Sequence, residues 1–385
     1  MTLLYNHIAP KFSELEKQMV VHIPPGGNWS NIPESVPSKR LEQIRRNGGG
    51  RTTYYGRLRW EKPSYTISTY FNRIGNGCHI HPEQDRLISI REAARLQSFP
   101  DNYRFTGSKG AIHKQIGNAV PPLLGFAISK HLGKYSKGKS FIDLFSGAGG
   151  LSEGFRMNGK KPIAAIESEK AYFDTYLENL NPRSKQGFIH GDICEKKNQK
   201  IIVDKASSYT TEIITGGPPC QGFSLAGWFN KEDMRNQLFK EFVSVVAKIS
   251  PKFFIMENVL GMLSMDKGEF IKKIIEEFEE IGYHVNEPWK LNAANFGVPQ
   301  RRKRVFILGS SEKKEIEQPE HILDEECFVT VKDAIYGLPK LKQSEGEEVM
   351  KFDGKTHSKY QQFLAGSIDA KTFIKLQKSK ILLKN

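Results

Sequence analysis

The chain has 385 residues, enough for one large domain and a smaller one, and its 38% hydrophobic and 26% charged residues describe an ordinary globular protein. At this size burial alone can hold a core, no apolar run approaches the roughly 20 residues that cross a bilayer, and Met1–His7 has no basic region leading into an apolar stretch, so no signal peptide is expected. With 57 Lys+Arg against 43 Asp+Glu the net charge is +14, which suits a polyanion such as nucleic acid, although a lysine-rich proteome would give the same excess.

The first 80 or so residues are rich in Gly, Arg and aromatics and poor in helical period, as in Pro24–Trp29, Gly48–Arg51 and Tyr54–Trp60. Between residues 39 and 62, Lys39, Arg40, Arg45, Arg46, Arg51, Arg57, Arg59 and Lys62 face only Glu42 and Glu61. The segment reads as a loop-rich surface for phosphates and bases, or else as an irregular solvated stretch. A short linker is expected at 134–139. From there short apolar runs alternate with helical stretches: strands at Ser140–Phe145, Pro162–Ile166, Thr211–Thr215, Phe253–Met256 and Arg304–Leu308, and helices at Leu151–Asn158 and Gln237–Ile249. This pattern predicts an α/β fold with a mostly parallel sheet and helices on both faces. In such sheets the site lies at the carboxyl ends of the strands, which would gather Gly147, Glu167, Gly217–Cys220 and Glu257 into one crevice. The tail from Glu312 is charged, and its lysine-rich end, Lys371–Asn385, suits a helix or a frayed terminus.

Four segments carry residues suited to chemistry. Cys220 stands in Gly216-Gly217-Pro218-Pro219-Cys220-Gln221-Gly222-Phe223-Ser224. Turn-forming neighbours favour a presented thiol nucleophile over a buried structural cysteine. Cys78, Cys194 and Cys327 lack such a setting, and no CxxC pair points to zinc or disulfides, so a reducing cytosol and no metal are expected. Glu257, in Met256-Glu257-Asn258-Val259, is either a structural carboxylate or a general acid raised by burial. In Gln300-Arg301-Arg302-Lys303-Arg304, strand alternation would put Gln300, Arg302 and Arg304 on one face, for a polar ligand or as a solvated basic edge. In Asp143-Leu144-Phe145-Ser146-Gly147-Ala148-Gly149-Gly150, glycines let a backbone approach a ligand closely, and Glu167 some 20 residues on can hold a ribose diol. Asp192 follows another strand-like run and could reach an adenine.

Taken together, these segments closely resemble the DNA cytosine-5 methyltransferase family. Its cofactor motif corresponds to 143–150, its nucleophile motif to 218–224, its Glu-Asn-Val signature to 257–259 and its Gln-x-Arg-x-Arg signature to 300–304. Arg91-Glu92-Ala93-Ala94-Arg95-Leu96-Gln97-Ser98-Phe99-Pro100 resembles its penultimate motif, and Gln115-Ile116-Gly117-Asn118-Ala119-Val120-Pro121-Pro122 its last. The order departs from the family's, because the last two motifs precede the first. The chain reads as circularly permuted, joined at Lys134–Lys139 and cut inside the target-recognition region. Permutation is tolerable where old termini lie close and new ones fall in an exposed loop.

The resemblance implies a Rossmann-like, doubly wound, mostly parallel sheet of the S-adenosylmethionine-dependent methyltransferase type, with a smaller irregular target-recognition domain. The expected divisions are 1–85 for the N-terminal part of the recognition region and 86–133 for the end of the catalytic domain. After the 134–139 linker come 140–310 for cofactor binding and catalysis, and 311–385 for the start of the recognition region and the tail. The implied reaction is methyl transfer from S-adenosyl-L-methionine to cytosine C5 in a short duplex sequence, after base flipping. Cys220 attacks C6, Glu257 serves N3, and Arg302 and Arg304 steady the base. Phe145, Gly147, Gly149, Glu167, Asp192, Pro218, Leu238 and Asn118 are the implied cofactor contacts, with Ser168 where the family often has a bulkier residue. Phe223–Asn236 is the implied closing loop. The expected setting is the bacterial cytoplasm, at the nucleoid, for a monomer acting on double-stranded DNA, with no membrane partner. The family makes a companion restriction endonuclease plausible. An RNA (tRNA) cytosine-5 methyltransferase is the nearest rival reading, and a catalytically silent DNA-binding module is the next.

Overall fold

Two units divide the chain, and the computed structural model describes residues 2–180, 182, 184–219 and 234–382. The first unit gathers Met1–Leu124, Ala293–Arg302 and His321–Asn385; the second gathers Gly125–Asn292 and Lys303–Glu320.

The first unit begins with β1 (Thr2–Ile8), β2 (Gly56–Arg57) and β3 (Cys78–Ile80). Its early part is not the open surface that the composition suggests. Phe12, Met19, Val20, Ile32, Leu41, Tyr55, Ile80 and Leu87 close a small core of their own. A helix, Lys39–Arg46, runs through the basic stretch. Ser38 caps it by accepting from Leu41 N at 3.4 Å, Arg45 and Arg46 lie in its last turn, where cations suit the helix dipole, and Leu41 is its single buried anchor. Not all eight basic side chains are available to a ligand. Arg57 is buried and donates to the carbonyls of Val20 (2.8 Å) and Ile23 (2.6 Å) and to Asp85. Arg45 donates to Ile32 O and Arg40 to Gly75 O. Lys39, Arg46, Arg51, Arg59 and Lys62 remain exposed.

The second unit carries the large sheet. Its strands are β4 (Ser140–Leu144), β5 (Lys161–Glu167), β6 (Phe188–His190), β7 (Ile213–Gly216), β8 (Phe253–Asn258), β9 (His284–Val285), β10 (Trp289–Asn292) and β11 (Lys303–Ser310). The order is β10-β11-β8-β7-β4-β5-β6, with β9 also on β11. Strands β4 to β8 pair in parallel, and β11 runs antiparallel to β8. All five predicted apolar runs are therefore strands of one mostly parallel sheet. The chain leaves β4 toward β5 and β6 and returns to β7 on the other side. That reversal makes the carboxyl ends of β4 and β7 the switch point where α/β sheets hold ligands. Phe254 of β8 shows why the strands need their apolar residues: it is wholly buried and stacks on Phe278 at 3.8 Å between ring centres. Truncating a buried phenylalanine of this kind costs about 3–5 kcal/mol.

The expected linker is pinned rather than loose. Ser136 Oγ donates to the Glu212 carboxylate, Gly138 N donates to the same oxygen at 2.7 Å, and Lys160 Nζ donates to Gly138 O. Back in the first unit, the last strand, β12 (Gly346–Phe352), lies antiparallel to β1. The chain then continues through helix Lys359–Leu364 to helix Ala370–Leu382, so the tail is helical through residue 382.

The units cut the sequence differently from the motif-based divisions. Residues 86–124 and 293–302, both expected with the catalytic domain, pack with the first unit. The physical reason is hydrogen bonding to backbone carbonyls. Arg91, fully buried, donates to Tyr5 O, Pro100 O and Tyr103 O at 2.6–3.0 Å. Arg95 donates to Ala334 O at 3.1 Å, held in place by two bonds of 2.8 Å to Asp101.

Candidate active site

The loop after β4 is built for close approach. Phe145 (φ 58°), Gly147 (φ 54°) and Gly149 (φ 83°) all sit in left-handed backbone, which glycine tolerates and phenylalanine does not without strain. A side chain at Gly147 would meet nothing within 4 Å, so the turn is held open by conformation and not by crowding. Helix Gly150–Met157 starts directly behind it.

Glu167, the last residue of β5, is tied to this turn. Its Oε2 accepts from Gly147 N at 2.8 Å and its Oε1 from Glu169 N at 2.9 Å. Burial pushes its carboxyl above the usual range, while these two backbone donors pull the other way. Ser168, beside it, contributes its carbonyl to His190 Nε2 at 3.1 Å. Asp192 is exposed and its carboxylate accepts from Cys194 N at 2.8 Å, fixing the turn after β6. Leu238 and Phe145 pack half-buried on the main core.

Asp143, one turn of backbone before the loop, is buried in β4. Ser152 Oγ donates to its Oδ2 at 2.5 Å, Thr215 Oγ1 donates to its Oδ1 at 3.0 Å, and Tyr176 Oη joins Ser152 at 2.9 Å. Burial pushes its carboxyl up to about 7, against these hydrogen bonds. A carboxyl raised on folding binds its proton more tightly in the native state, so its contribution to stability falls as pH rises from about 4 through 7 and is level above that. Asp143→Asn should remove this decline, because an amide does not titrate and its oxygen can still accept from Thr215 Oγ1. Urea midpoints at pH 5 and pH 8 are the check: equal pH dependence in both proteins would contradict the assignment.

At the end of β8, Glu257 meets Arg304 of β11. Arg304 Nε lies 2.9 Å from Glu257 Oε1, with both side chains about one-seventh exposed (13% and 14%). The other carboxylate oxygen lies over Gly217, 3.1 Å from where a Cβ would stand. Asn258 donates through Nδ2 to Pro218 O at 3.0 Å, binding the same loop to β8. The carboxylate, the guanidinium and the backbone entering the Pro-Pro-Cys segment thus converge at one strand end.

Cys220 and the rest of 220–233 lie outside the described residues. Of the expected closing loop, the final three residues belong to helix Met234–Ile249. Two other cysteines are poor nucleophiles: burial pushes the Cys78 thiol up to about 12 and the Cys194 thiol up to about 11.

The Gln300, Arg302 and Arg304 side chains do not share a strand face. Strand β11 starts only at Lys303, so the alternation does not reach back to 300. Gln300 is fully buried in the first unit, accepting from Ile67 N and donating to Leu96 O and Gln97 Oε1. Arg302 is fully buried there too, donating to Ile67 O at 3.1 Å and Gly117 O at 2.7 Å. Gly117 must be glycine, since a Cβ would come within 2.5 Å of Thr69 N. Asn118, exposed at the end of helix Lys109–Asn118, follows it. Asn258, Gly117 and Asp143 had no assigned part in the sequence reading. Each stood inside a recognised motif, yet only its spatial partner reveals what it does.

A switch-point loop with an open glycine turn, an acid at the next strand end and a clamped carboxylate beside a Pro-Pro-Cys segment define a nucleotide-cofactor α/β enzyme architecture. The profile of C-5 cytosine-specific DNA methylases matches residues 6–134 and 139–380, and the chain belongs to that family. The Type II methyltransferase M1.HphI of Haemophilus parahaemolyticus is 39% identical over 236 residues, 60% of this chain and 61% of that protein. M.DdeI of Desulfomicrobium norvegicum is 41% identical over 233 residues, 58% of this chain and 54% of that one. M.AgeI of Thalassovita gelatinovora is 33% identical over 251 residues, covering 59% and 57%. The chain thus spans between 54% and 61% of the length of these curated relatives.

Proposed function

We propose that the protein transfers a methyl group from S-adenosylmethionine to C5 of a cytosine in a short duplex DNA sequence, as the modification enzyme of a restriction–modification system in the bacterial cytoplasm. The observation that carries this reading is the Glu257 carboxylate, clamped by Arg304 and lying over Gly217. Only Pro218 and Pro219 separate Gly217 from Cys220, three Cα steps that reach at most about 11 Å when extended.

The target cytosine is flipped out of the duplex. The Cys220 thiolate forms a bond to C6, and the displaced electron pair moves toward C5. Glu257 holds a proton at N3, so the ring does not accumulate full negative charge. Arg304 keeps the carboxylate in place, and Asn258 fixes the approach of the nucleophile's loop. S-adenosylmethionine, when bound, supplies an electrophilic methyl group. Loss of the C5 proton and departure of Cys220 restore the aromatic ring. The open turn at Gly147 and the carboxylate of Glu167 fit such a cofactor. Phe145, Gly149, Asp192, Pro218 and Leu238 would complete its contacts.

The relatives' names as Type II methyltransferases support the restriction–modification setting and a duplex DNA substrate. Among the described residues no helix is long and apolar enough to cross a membrane. The reading includes a permuted motif order. The break in the family match at residues 135–138 coincides with the pinned Ser136–Gly138 segment, as expected of a join between former ends. The test is transfer of tritium from labelled cofactor to mixed-sequence duplex DNA and to tRNA. Label in duplex DNA is expected; label in tRNA with none in DNA would overturn the substrate assignment.

A further inference from the structure

Several lysines on this protein's helices are neutralised in place. Lys170 pairs with Asp174 at 2.7 Å, Lys196 with Glu241 at 2.8 Å and Lys200 with Asp204 at 2.9 Å. The helix Ala370–Leu382 is different. Lys371, Lys375 and Lys378 recur at helical spacing, so they line one face, and all three are exposed. None has an ion-pair partner among the described residues. Asp369 influences Lys371, yet its carboxylate is spent on Thr372 N at 2.7 Å.

The opposite face is firmly seated. Phe373, Ile374 and Gln377 are buried. Phe373 stacks on Phe363 at 5.4 Å and meets Tyr360 edge-on at 5.6 Å. The lysines therefore stand on a packed helix and not on a loose tail. Like charges at i,i+4 repel one another along a helix, and among the described residues no carboxylate pairs with them to relieve it. A polyanion would relieve it. The stripe spans about 10 Å at 1.5 Å per residue, over which duplex DNA presents roughly six phosphate charges.

We infer that the Lys371–Lys375–Lys378 face is a contact for the phosphate backbone of duplex DNA, adding affinity without reading sequence. This rests on the duplex DNA substrate proposed above. Lysine at such a site acts as a point charge that neutralises phosphate and releases counterions.

The test compares the full chain with the variant K371Q/K375Q/K378Q, measuring binding to a mixed-sequence duplex of about 30 base pairs across a salt series. Each lost phosphate contact lowers the slope of log K against log salt by about 0.9. The variant's slope should therefore fall by about two to three and its binding weaken at every salt concentration. The variant K371R/K375R/K378R should restore the slope. Unchanged binding of S-adenosylmethionine by the glutamine variant shows that it is folded, and loss of that binding moves the comparison to the three single glutamine variants, each expected to lower the slope by about one. A glutamine variant with the parent's slope overturns the inference while leaving the DNA substrate intact. A parent protein with no salt-dependent binding to duplex DNA overturns both.

Discussion

Replacing Cys220 with alanine is expected to lower methyl transfer to duplex DNA by roughly 10⁴-fold or more, the scale on which loss of a covalent nucleophile is felt. DNA binding should survive, because phosphate contacts supply most of the affinity and none needs the thiol. Neither Cys78 nor Cys194 is suited to take over. Cys78 is buried with its thiol raised to about 12, and Cys194 is raised to about 11, so neither offers much thiolate near neutral pH. Single-turnover transfer of labelled methyl, measured beside filter binding, separates the two effects. Appreciable turnover by the alanine variant would remove Cys220 from its role.

The second large effect falls on stability and concerns Arg302. Its guanidinium is fully buried and holds Ile67 O and Gly117 O together. Around it, Gln300 bonds Ile67 N and Leu96 O, Thr66 Oγ1 donates to Arg301 O at 2.9 Å, and Ser64 N donates to Pro299 O at 2.9 Å. Arg302→Ala would leave two buried carbonyls without these donors and a cavity between three chain segments. Each orphaned carbonyl costs about 1–3 kcal/mol, so a total loss of roughly 3–5 kcal/mol is expected. Arg304→Ala should behave differently. That side chain is partly exposed and its main partner is Glu257, so a smaller stability loss and a drop in transfer on the order of 10²-fold are expected. Urea unfolding and single-turnover rates on both variants decide the matter. A stable Arg302→Ala protein that has lost only its rate would return Arg302 to the base-steadying role that the motif suggests.

These two arginines show where the sequence was legible and where it was not. Strand ends were readable because apolar runs stop abruptly: Glu167 ends β5, Glu257 lies one residue from the end of β8, and the glycine turn follows β4. The pairing of Glu257 with Arg304 was within reach, since both motifs were recognised. What left no local pattern was hydrogen bonding to distant carbonyls. Arg57 and Arg302 read as surface charge or ligand contacts and Arg91 only as part of a motif, yet each is buried on backbone oxygens far away in sequence. The same holds for Ser136 and Gly138, whose composition suggests a loose spacer although Glu212 holds them. Helix Lys39–Arg46 was hidden for another reason: its apolar face is only Leu41 and Ile44, two turns long, inside a glycine- and arginine-rich stretch.

The most direct test of the central claim uses duplex DNA in which 5-fluorocytosine replaces cytosine. Fluorine at C5 cannot leave as a proton does, so attack by Cys220 followed by methyl transfer should trap the protein on the DNA. Wild-type protein with S-adenosylmethionine is predicted to give a complex stable to denaturant, with the adduct on the peptide containing Cys220, and Cys220→Ala is predicted to give none. Absence of any denaturant-stable complex from wild-type protein that methylates ordinary duplex DNA, or an adduct on another residue, would contradict the account.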